Sequence, residues 1–183
     1  MIIGINDQSL FARGNTADIY TLPGGLIKKQ LRACKTTNRV NKVLAQYYPT
    51  VIEQPLIQHE VHVLTTLQKY GISPKVIDVG SDYFIMSYCG QPVTKETKFT
   101  RNLHARIKFI LKSLDAEKIT HNDLRRDFRN YTELNGVLYL IDFQVSDIGD
   151  VTPGAEIRKG KEKFYNNNKA DLDWFAFQFK KET

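Results

Sequence analysis

The sequence predicts an α+β fold in which two small lobes share a cleft. Alternating apolar and polar residues, broken by Gly-containing turns, predict an antiparallel sheet and one well-marked helix for an N-terminal lobe over residues 1–90. A helical apolar periodicity after residue 100 predicts a reduced, mainly helical C-terminal lobe over residues 91–183. A chain of 183 residues is long enough to bury a core of its own.

Two hairpins and two helices are expected in the N-terminal lobe. Residues 10–31 alternate on either side of a Pro-Gly-Gly turn, which predicts a β-hairpin. A first helix is expected over residues 40–48, and a stronger one over residues 55–70, where an apolar stripe ends at Gly71. Residues 75–88 are rich in β-branched and aromatic side chains around a turn, which predicts the second hairpin.

The C-terminal lobe is expected to begin with a helix. Residues 100–119 place leucines and isoleucines on one helical face, with Thr100 as the expected N-cap. Asn135 and Gly136 separate two strand-like runs and form a strong signal for a tight hairpin. Residues 171–179 predict a last, partly buried helix.

Composition argues against several classes of protein. No apolar run approaches the roughly 20 residues of a membrane span, and the first residues lack the pattern of a signal peptide, so a cytoplasmic protein without a membrane partner is expected. Cys34 and Cys89 are too few for a disulfide framework or a zinc cluster. The net charge of +6 favours polyanionic partners such as nucleotides, nucleic acid or an acidic protein surface.

Glu60 is the odd member of an apolar helical stripe. An ionised carboxylate in such a place is costly unless a positive charge meets it. Lys28 and Lys29 are neighbours in a strand and point to opposite faces of the sheet, so one of them can turn inward. A lysine that reaches from a strand to a helical glutamate positions ATP phosphates in protein kinases. The alternative is a Glu60 that lies at the edge of the stripe in water.

The segment RGNTADIY and the pair Asp123 and Asp142 could form a phosphate site. Gly14 allows close approach of the backbone amides to phosphates, although an ordinary turn would have the same composition. Asp123 in HND and Asp142 in LIDF lie 19 residues apart with a hairpin between them, which could bring both carboxylates to one cleft. One could then orient a hydroxyl while the other holds Mg²⁺ with the Asn130 amide. The alternative is two aspartates that cap turns.

In this order, the segments resemble a protein-kinase-like fold of the atypical RIO and KEOPS-associated small-kinase type. RGNTADIY is similar to the abbreviated phosphate loop of that family, which implies ATP contacts by Gly14, Asn15, Thr16 and Ala17. LIKKQLR resembles the strand with the ATP lysine, so the resemblance assigns that role to Lys28, with Lys29 as the runner-up. HEVHVLTTLQKYG resembles the following helix and gives Glu60 the ion-pair role. FIMSYCGQPV resembles the hinge, so adenine would meet the backbone of Ser87, Tyr88 and Cys89.

The resemblance also assigns roles in the C-terminal lobe. HNDL resembles the catalytic loop, which implies that Asp123 is the catalytic aspartate and that His121 is a post for packing and hydrogen bonding. LIDFQ resembles the metal-binding strand end, which implies that Asp142 is a Mg²⁺ ligand. The family's asparagine comes five residues after the catalytic aspartate, where this sequence has Phe128. Either the loop bulges to return Asn130 to the metal, or the second ligand is missing. Asp171 or Asp173 would brace the loop from below.

The resemblance implies a phosphotransferase that uses ATP and Mg²⁺ and is similar to atypical Ser/Thr protein kinases, acting by autophosphorylation or as an ATPase. A small-molecule kinase of the aminoglycoside, sugar or lipopolysaccharide-core type is the first alternative, with an unidentified acceptor. A pseudokinase or nucleic-acid-associated module is the second, in which a basic surface binds RNA or a partner protein. The basic residues considered for that surface are Arg101, Arg106, Lys108, Lys112, Arg158, Lys159, Lys161 and Lys163.

Overall fold

The structure, a computed structural model, describes residues 8–50, 54–93, 103–124, 128–149, 151, 153–157, 168, 171 and 173. Its helices are α1 (Lys35–Leu44), α2 (Pro55–Leu67), α3 (Leu103–Ala116) and α4 (Pro153–Ile157). Its strands are β1 (Ser9–Arg13), β2 (Ala17–Leu22), β3 (Leu26–Leu31), β4 (Val76–Val79), β5 (Tyr83–Ser87), β6 (Gln91–Pro92), β7 (Ile119–Thr120), β8 (Tyr131–Leu134), β9 (Val137–Leu140) and β10 (Asp147–Ile148). No helix in these ranges is long and apolar enough to cross a membrane.

A five-stranded antiparallel sheet in the order β1-β2-β3-β5-β4 forms the first lobe. The expected turn at residues 23–25 joins β2 to β3, and the expected turn at residues 80–82 joins β4 to β5. Both predicted hairpins are therefore confirmed. The first region contains three strands instead of the two predicted, because a turn at residues 14–16 divides the expected first strand into β1 and β2. Helix α2 packs against β4 and β5.

The two helices of the first lobe differ in how well the sequence predicts them. Helix α2 is confirmed, and after one 3₁₀ turn the chain reaches Gly71 at a φ of 67°, a left-handed conformation that glycine adopts readily. Helix α1 begins at Lys35 and ends at Leu44, several residues earlier than predicted at both ends. Its N-cap is Cys34, whose sulfur accepts a hydrogen bond from the Thr37 amide. Cysteine is not a usual N-cap residue, which hides this start from sequence patterns.

The second lobe combines α3 with two small sheets, β6-β8-β9 and β7-β10. The hairpin between β8 and β9 is confirmed, with Asn135 at a φ of 50° and Gly136 at 79°, as a two-residue turn of this kind requires. Buried apolar residues of both lobes form one continuous cluster. The division near residue 90 remains a prediction. The predicted N-cap Thr100 lies outside the described residues, as does most of the predicted last helix.

Candidate active site

A cavity of about 570 Å³ lies between the sheet of the first lobe and the loops of the second. Its roof comes from β1, β2 and β3, and its floor from the segments around Asp123 and Asp142. Most of the residues predicted for the site share this cavity. They are Gly14, Asn15, Thr16, Ala17, Glu60, Tyr88, Cys89, Asp123, Asn130 and Asp142.

A buried ion pair joins the sheet to α2 at the back of the cavity. The Lys29 ammonium lies 2.7 and 2.8 Å from the two carboxylate oxygens of Glu60, and the two side chains are 6% and 2% exposed. The same ammonium lies 3.0 Å from Oδ1 of Asp142, whose side chain is 41% exposed to the cleft. An ammonium has three N–H donors, so these contacts engage all of them. Lys29 thus holds together a strand, a helix and the end of the LIDF segment.

The assignment of the inward lysine to Lys28 is wrong, because Glu60 pairs with Lys29. Lys28 lies on the opposite face of β3, with its ammonium 4.6 Å from the centre of the Tyr83 ring. Ile27, Lys29 and Leu31 share the buried face of the strand. Successive residues of a strand alternate between faces, so the two apolar neighbours at i±2 identify Lys29 as the buried lysine.

The electrostatics of this cluster favour the charged forms of Lys29 and Asp142, whereas burial raises the pKa of Glu60. Burial lowers the pKa of Lys29, but Asp142 and Glu60 outweigh it, so that pKa is raised. Burial likewise opposes ionisation of Asp142, yet the Lys29 ammonium keeps the pKa of that carboxyl below its usual value. Burial raises the pKa of Glu60, and the Lys29 ammonium between its two oxygens opposes that rise. Asp142 is therefore an anion at neutral pH, as a metal ligand must be.

Asp142 adopts an unusual backbone conformation that its neighbours enforce. Its φ is 66°, which is rare for a residue with a side chain and commonly marks functional sites. Immediately before it, the carbonyl of Ile141 accepts a 2.9 Å hydrogen bond from Nε2 of His121. The His121 ring also packs on Phe143, with the ring centres 4.6 Å apart. This confirms the prediction that His121 is a packing and hydrogen-bonding post.

Asn130 returns to Asp123 in spite of its displaced position in the sequence. Phe128, which occupies the expected asparagine position, is 5% exposed and has a φ of 53°. Two residues later, Nδ2 of Asn130 donates to the Asp123 carbonyl at 2.7 Å and to Oδ2 of Asp123 at 3.3 Å. Because Nδ2 is engaged in this way, Oδ1 is the atom that Asn130 can offer to a cation.

The donor set suits Mg²⁺. The Asp142 carboxylate and the Asn130 amide supply hard oxygen ligands. In nucleotide sites, Mg²⁺ usually binds one or two protein ligands, and phosphates and water fill its remaining positions. Both residues line the same cavity. The residues present therefore fit a Mg²⁺ ion that is held together with a nucleotide.

The turn between β1 and β2 is held in place from both lobes. Its ends are joined by a 2.8 Å hydrogen bond from the Gly14 amide to the Ala17 carbonyl. The Thr16 carbonyl accepts from the Arg32 amide at 2.8 Å. From the other lobe, Oε1 of Gln144 accepts a 2.6 Å hydrogen bond from the Thr16 hydroxyl. Gln144, the last residue of the LIDFQ segment, thus contacts the predicted phosphate loop across the cleft, a contact that its position in the sequence did not reveal.

Two of the three predicted hinge residues lie at the cavity. Tyr88 and Cys89 line it, while Ser87 does not. The Ser87 amide donates to the Lys75 carbonyl and its hydroxyl accepts from the Lys75 amide, just before β4 begins. The Tyr88 amide donates to the Gly25 carbonyl at 2.8 Å and is therefore engaged within the sheet. Cys89 is buried and its thiol accepts from the Thr132 hydroxyl at 3.2 Å, and burial raises the pKa of the thiol.

Asn122 and Asp171 lie in the second lobe close to the segments predicted for the site. Asn122 has a φ of 65°, and its Nδ2 donates to the Val145 carbonyl and to Oδ2 of Asp147 at 2.9 and 2.7 Å. It therefore ties the HND segment to the chain that follows Asp142. Asp171 is buried, whereas Asp173 is exposed. The pKa of Tyr131 is raised, mainly by burial and in addition by the negative charge of the Asp171 carboxylate. These positions favour Asp171 as the predicted brace.

A buried histidine connects α2 to the segment after Asp142. The Ser146 hydroxyl has one proton, which it donates to the Phe143 carbonyl at 2.8 Å. Nε2 of His59, 2.9 Å from the Ser146 oxygen, must therefore be the donor in that contact. Nδ1 then accepts from the Tyr48 hydroxyl at 2.9 Å. The network fixes one neutral tautomer, and burial lowers the pKa of His59 to about 4.

The lowered pKa of His59 predicts a loss of stability in mild acid. The pKa of His59 is 6.5 in the unfolded chain and about 4 in the native state. At pH values between these two, His59 binds a proton in the unfolded chain but not in the native state. The free energy of unfolding must therefore fall as pH is lowered through this window. From pH 7 to pH 4.5 we expect His59 to contribute about 2 kcal/mol to that fall. Urea unfolding at both pH values measures it.

The control for this measurement is His62, an exposed histidine on the same helix. His59→Gln should remove most of the histidine contribution to the pH dependence, while His62→Gln should retain it. Equal pH dependence in the wild type and His59→Gln would show that His59 does not stay neutral in the native protein.

The basic residues predicted for a nucleic-acid surface are only partly described. Arg106, Lys108 and Lys112 lie on α3, and Arg106 pairs with Glu133 at 3.7 Å. The other candidates, Arg101, Arg158, Lys159, Lys161 and Lys163, lie outside the described residues.

The structure has a protein-kinase-like fold. It is similar to the Rio2 kinase of Chaetomium thermophilum, solved in an ADP/Mg²⁺-phosphoaspartate complex, with a TM-score of 0.60 and 13% sequence identity. The match covers 94% of this chain and 56% of the Rio2 chain, so this chain spans little more than half the length of that relative.

Two aminoglycoside phosphotransferases also match. They are APH(2″)-IIa in a ternary complex with streptomycin and ATP, at a TM-score of 0.47 and 16% identity, and ADP-bound APH(2″)-Ib, at 0.48 and 15%. Each match covers 83% of this chain and 70% of the other. No protein-family model matches the sequence, and no curated protein is significantly similar to it.

Proposed function

We propose that this chain is an ATP- and Mg²⁺-dependent phosphotransferase similar to atypical Ser/Thr protein kinases. The observation that carries the proposal is the Lys29 ammonium, held between Glu60 and Asp142 at the back of a cleft whose floor contains Asp123. A cation fixed by a buried carboxylate is suited to bind phosphate oxygens. The cavity of about 570 Å³ is of the size usual for small-molecule sites.

Each residue has a distinct role in the proposed reaction. A phosphate oxygen that binds Lys29 would replace Asp142, the more exposed of its two partners, and leave the Asp142 carboxylate for the metal. Mg²⁺ would neutralise charge on the phosphates, with Asp142 and Asn130 as its protein ligands. The residues of the β1–β2 turn would cover the phosphates, and Tyr88 and Cys89 would border the adenine. Asp123 would orient the acceptor hydroxyl and take its proton.

A small-molecule acceptor is the second candidate, and the contact between α1 and α4 favours it. The Arg39 guanidinium donates to the Ile157 carbonyl at 2.7 Å, which connects the two lobes beside the cleft. Thr36 and Val40 of α1 line the cavity together with Ile157 of α4. A cleft walled on this side admits a small hydroxyl compound more readily than an extended peptide.

The test is transfer of the labelled γ-phosphate of ATP with the protein alone and with candidate acceptors. We expect label to leave ATP only when Mg²⁺ is present. Asp123→Asn should lower the rate by about 10²–10⁴-fold, since it removes the proton acceptor. Asp78→Asn, on the exposed strand β4, is the control and should be unchanged. Label on the protein supports a protein kinase, label on a small compound supports the second candidate, and inorganic phosphate alone indicates an ATPase. Equal turnover in Asp123→Asn and the wild type would contradict the proposal.

A further inference from the structure

Arg129 lies in the cleft, and the proposed phosphoryl transfer as described so far does not use it. Its Nη2 is 3.1 Å from Oδ2 of Asp123, and its side chain is 54% exposed. It lines the same cavity as Lys29 and Asp142, and its charge contributes to the lowered pKa of Asp142. Lys29 is already engaged by two carboxylates at the back of the cleft. Arg129 therefore adds a second positive charge to the cleft, beside the proposed catalytic aspartate.

The backbone around Arg129 is fixed on both sides. Phe128 is 5% exposed, and its carbonyl accepts a 2.8 Å hydrogen bond from the Tyr131 amide, which closes a tight turn. Asn130 is 4% exposed and donates to Asp123. The Phe128 ring is part of the buried core, whereas the Arg129 side chain lines the cleft. The displaced spacing of this loop thus positions a guanidinium as well as the Asn130 amide.

The chemistry of phosphoryl transfer gives such a group a function. A guanidinium has five N–H donors in a planar arrangement, and the contact with Asp123 engages only part of them. During transfer, negative charge spreads over the equatorial oxygens of the γ-phosphoryl group, next to the residue that orients the acceptor. Donors already aimed at the place where charge develops stabilise the transition state without reorganisation.

We infer that Arg129 is a further catalytic residue, which donates hydrogen bonds to the γ-phosphoryl oxygens during transfer. The inference rests on the proposed function. In the step, the acceptor oxygen forms a bond to the γ-phosphorus while the bond from that phosphorus to the β,γ-bridging oxygen breaks. The electron pair of the broken bond stays with ADP, and the hydroxyl proton passes to Asp123. Arg129 neither gains nor loses a proton.

The experiment compares the wild type with Arg129→Gln, which keeps a polar side chain but removes the charge and the planar donor set. Two quantities are measured: kcat, and the affinity for Mg²⁺-ADP with and without aluminium fluoride, which mimics the phosphoryl group in transfer. We expect Arg129→Gln to lower kcat by about 10³-fold, to lose the affinity gained from aluminium fluoride, and to bind Mg²⁺-ADP as the wild type does. Arg129→Lys should recover only part of both losses, because an ammonium cannot bind two oxygens in one plane.

Arg106→Gln is the matched control, because it also breaks an arginine–carboxylate pair, with Glu133 on the second lobe. It should leave both quantities unchanged. An unchanged kcat in Arg129→Gln, in a wild type that turns over ATP, would overturn the role of Arg129 alone. A lower kcat with the aluminium fluoride effect retained would overturn it too, since Arg129 would then act only by holding Asp123. A wild type that neither binds Mg²⁺-ADP nor turns over ATP would overturn both the inference and the proposed function.

Discussion

Lys29→Met is expected to abolish ATP turnover and to destabilise the fold, whereas Lys28→Met should do neither. Lys29 meets both oxygens of Glu60 at 2.7 and 2.8 Å in a site where both side chains are almost completely buried. Removal of one partner leaves the other as an unpaired buried charge, which typically costs about 3–5 kcal/mol. Lys28 lies over the Tyr83 ring on the other face of the sheet, a contact worth about 1 kcal/mol or less.

A double variant separates the two effects of Lys29→Met. Replacing a buried ion pair by apolar residues of similar volume is often neutral for stability. Lys29→Met combined with Glu60→Leu should therefore recover most of the lost free energy of unfolding, measured in urea, and still show no turnover. Activity in the double variant near that of the wild type would exclude Lys29 from phosphate binding. A loss of turnover in Lys28→Met equal to that in Lys29→Met would contradict the assignment.

The second large effect is expected for Asp142→Asn. The substitution keeps the size of the side chain but removes the charge that a metal ligand needs, while Glu60 still neutralises Lys29. The fold should therefore persist. A metal ion in this position contributes several kcal/mol to the transition state, so we expect turnover to fall by about 10³-fold or more. Rates measured over a range of Mg²⁺ concentrations test this, since the remaining rate should no longer depend on Mg²⁺. A normal rate with normal Mg²⁺ dependence would contradict the role of Asp142.

The sequence predicted the elements of this fold better than the details of its site. Hairpins and α2 were predictable because turn residues and apolar periodicity are local properties. The choice between Lys28 and Lys29 was also within reach of the sequence: Ile27 and Leu31 flank Lys29 on one face of β3, and strand alternation alone favours it. The resemblance to a family placed the lysine one residue too early, and the alternation corrects it.

Other features of the site depend on contacts between distant parts of the chain. Asn130 returns to Asp123 in a loop where Phe128 has a positive φ, a conformation that sequence patterns do not predict for a phenylalanine. Thr16 and Gln144 are 128 residues apart in sequence, and their contact depends on how the two lobes pack in the folded chain. Arg129 is one of three arginines between Asp123 and Asn130, and the sequence does not distinguish it from the other two. Its place in the cleft depends on the contacts of its neighbours Phe128 and Asn130.

The proposed function depends on binding of Mg²⁺-ATP in this cleft through Asp142. The most direct measurement is the thermal unfolding midpoint of the wild type and Asp142→Asn with ATP, each with and without Mg²⁺. At one hundred times Kd, binding to the native state adds about 2.7 kcal/mol, which corresponds to a rise in Tm of roughly 5–10 °C for a chain of this size. We predict that rise for the wild type with Mg²⁺, and its loss in Asp142→Asn. A wild type that Mg²⁺-ATP does not stabilise, or an Asp142→Asn variant with the full Mg²⁺-dependent rise, would contradict the claim.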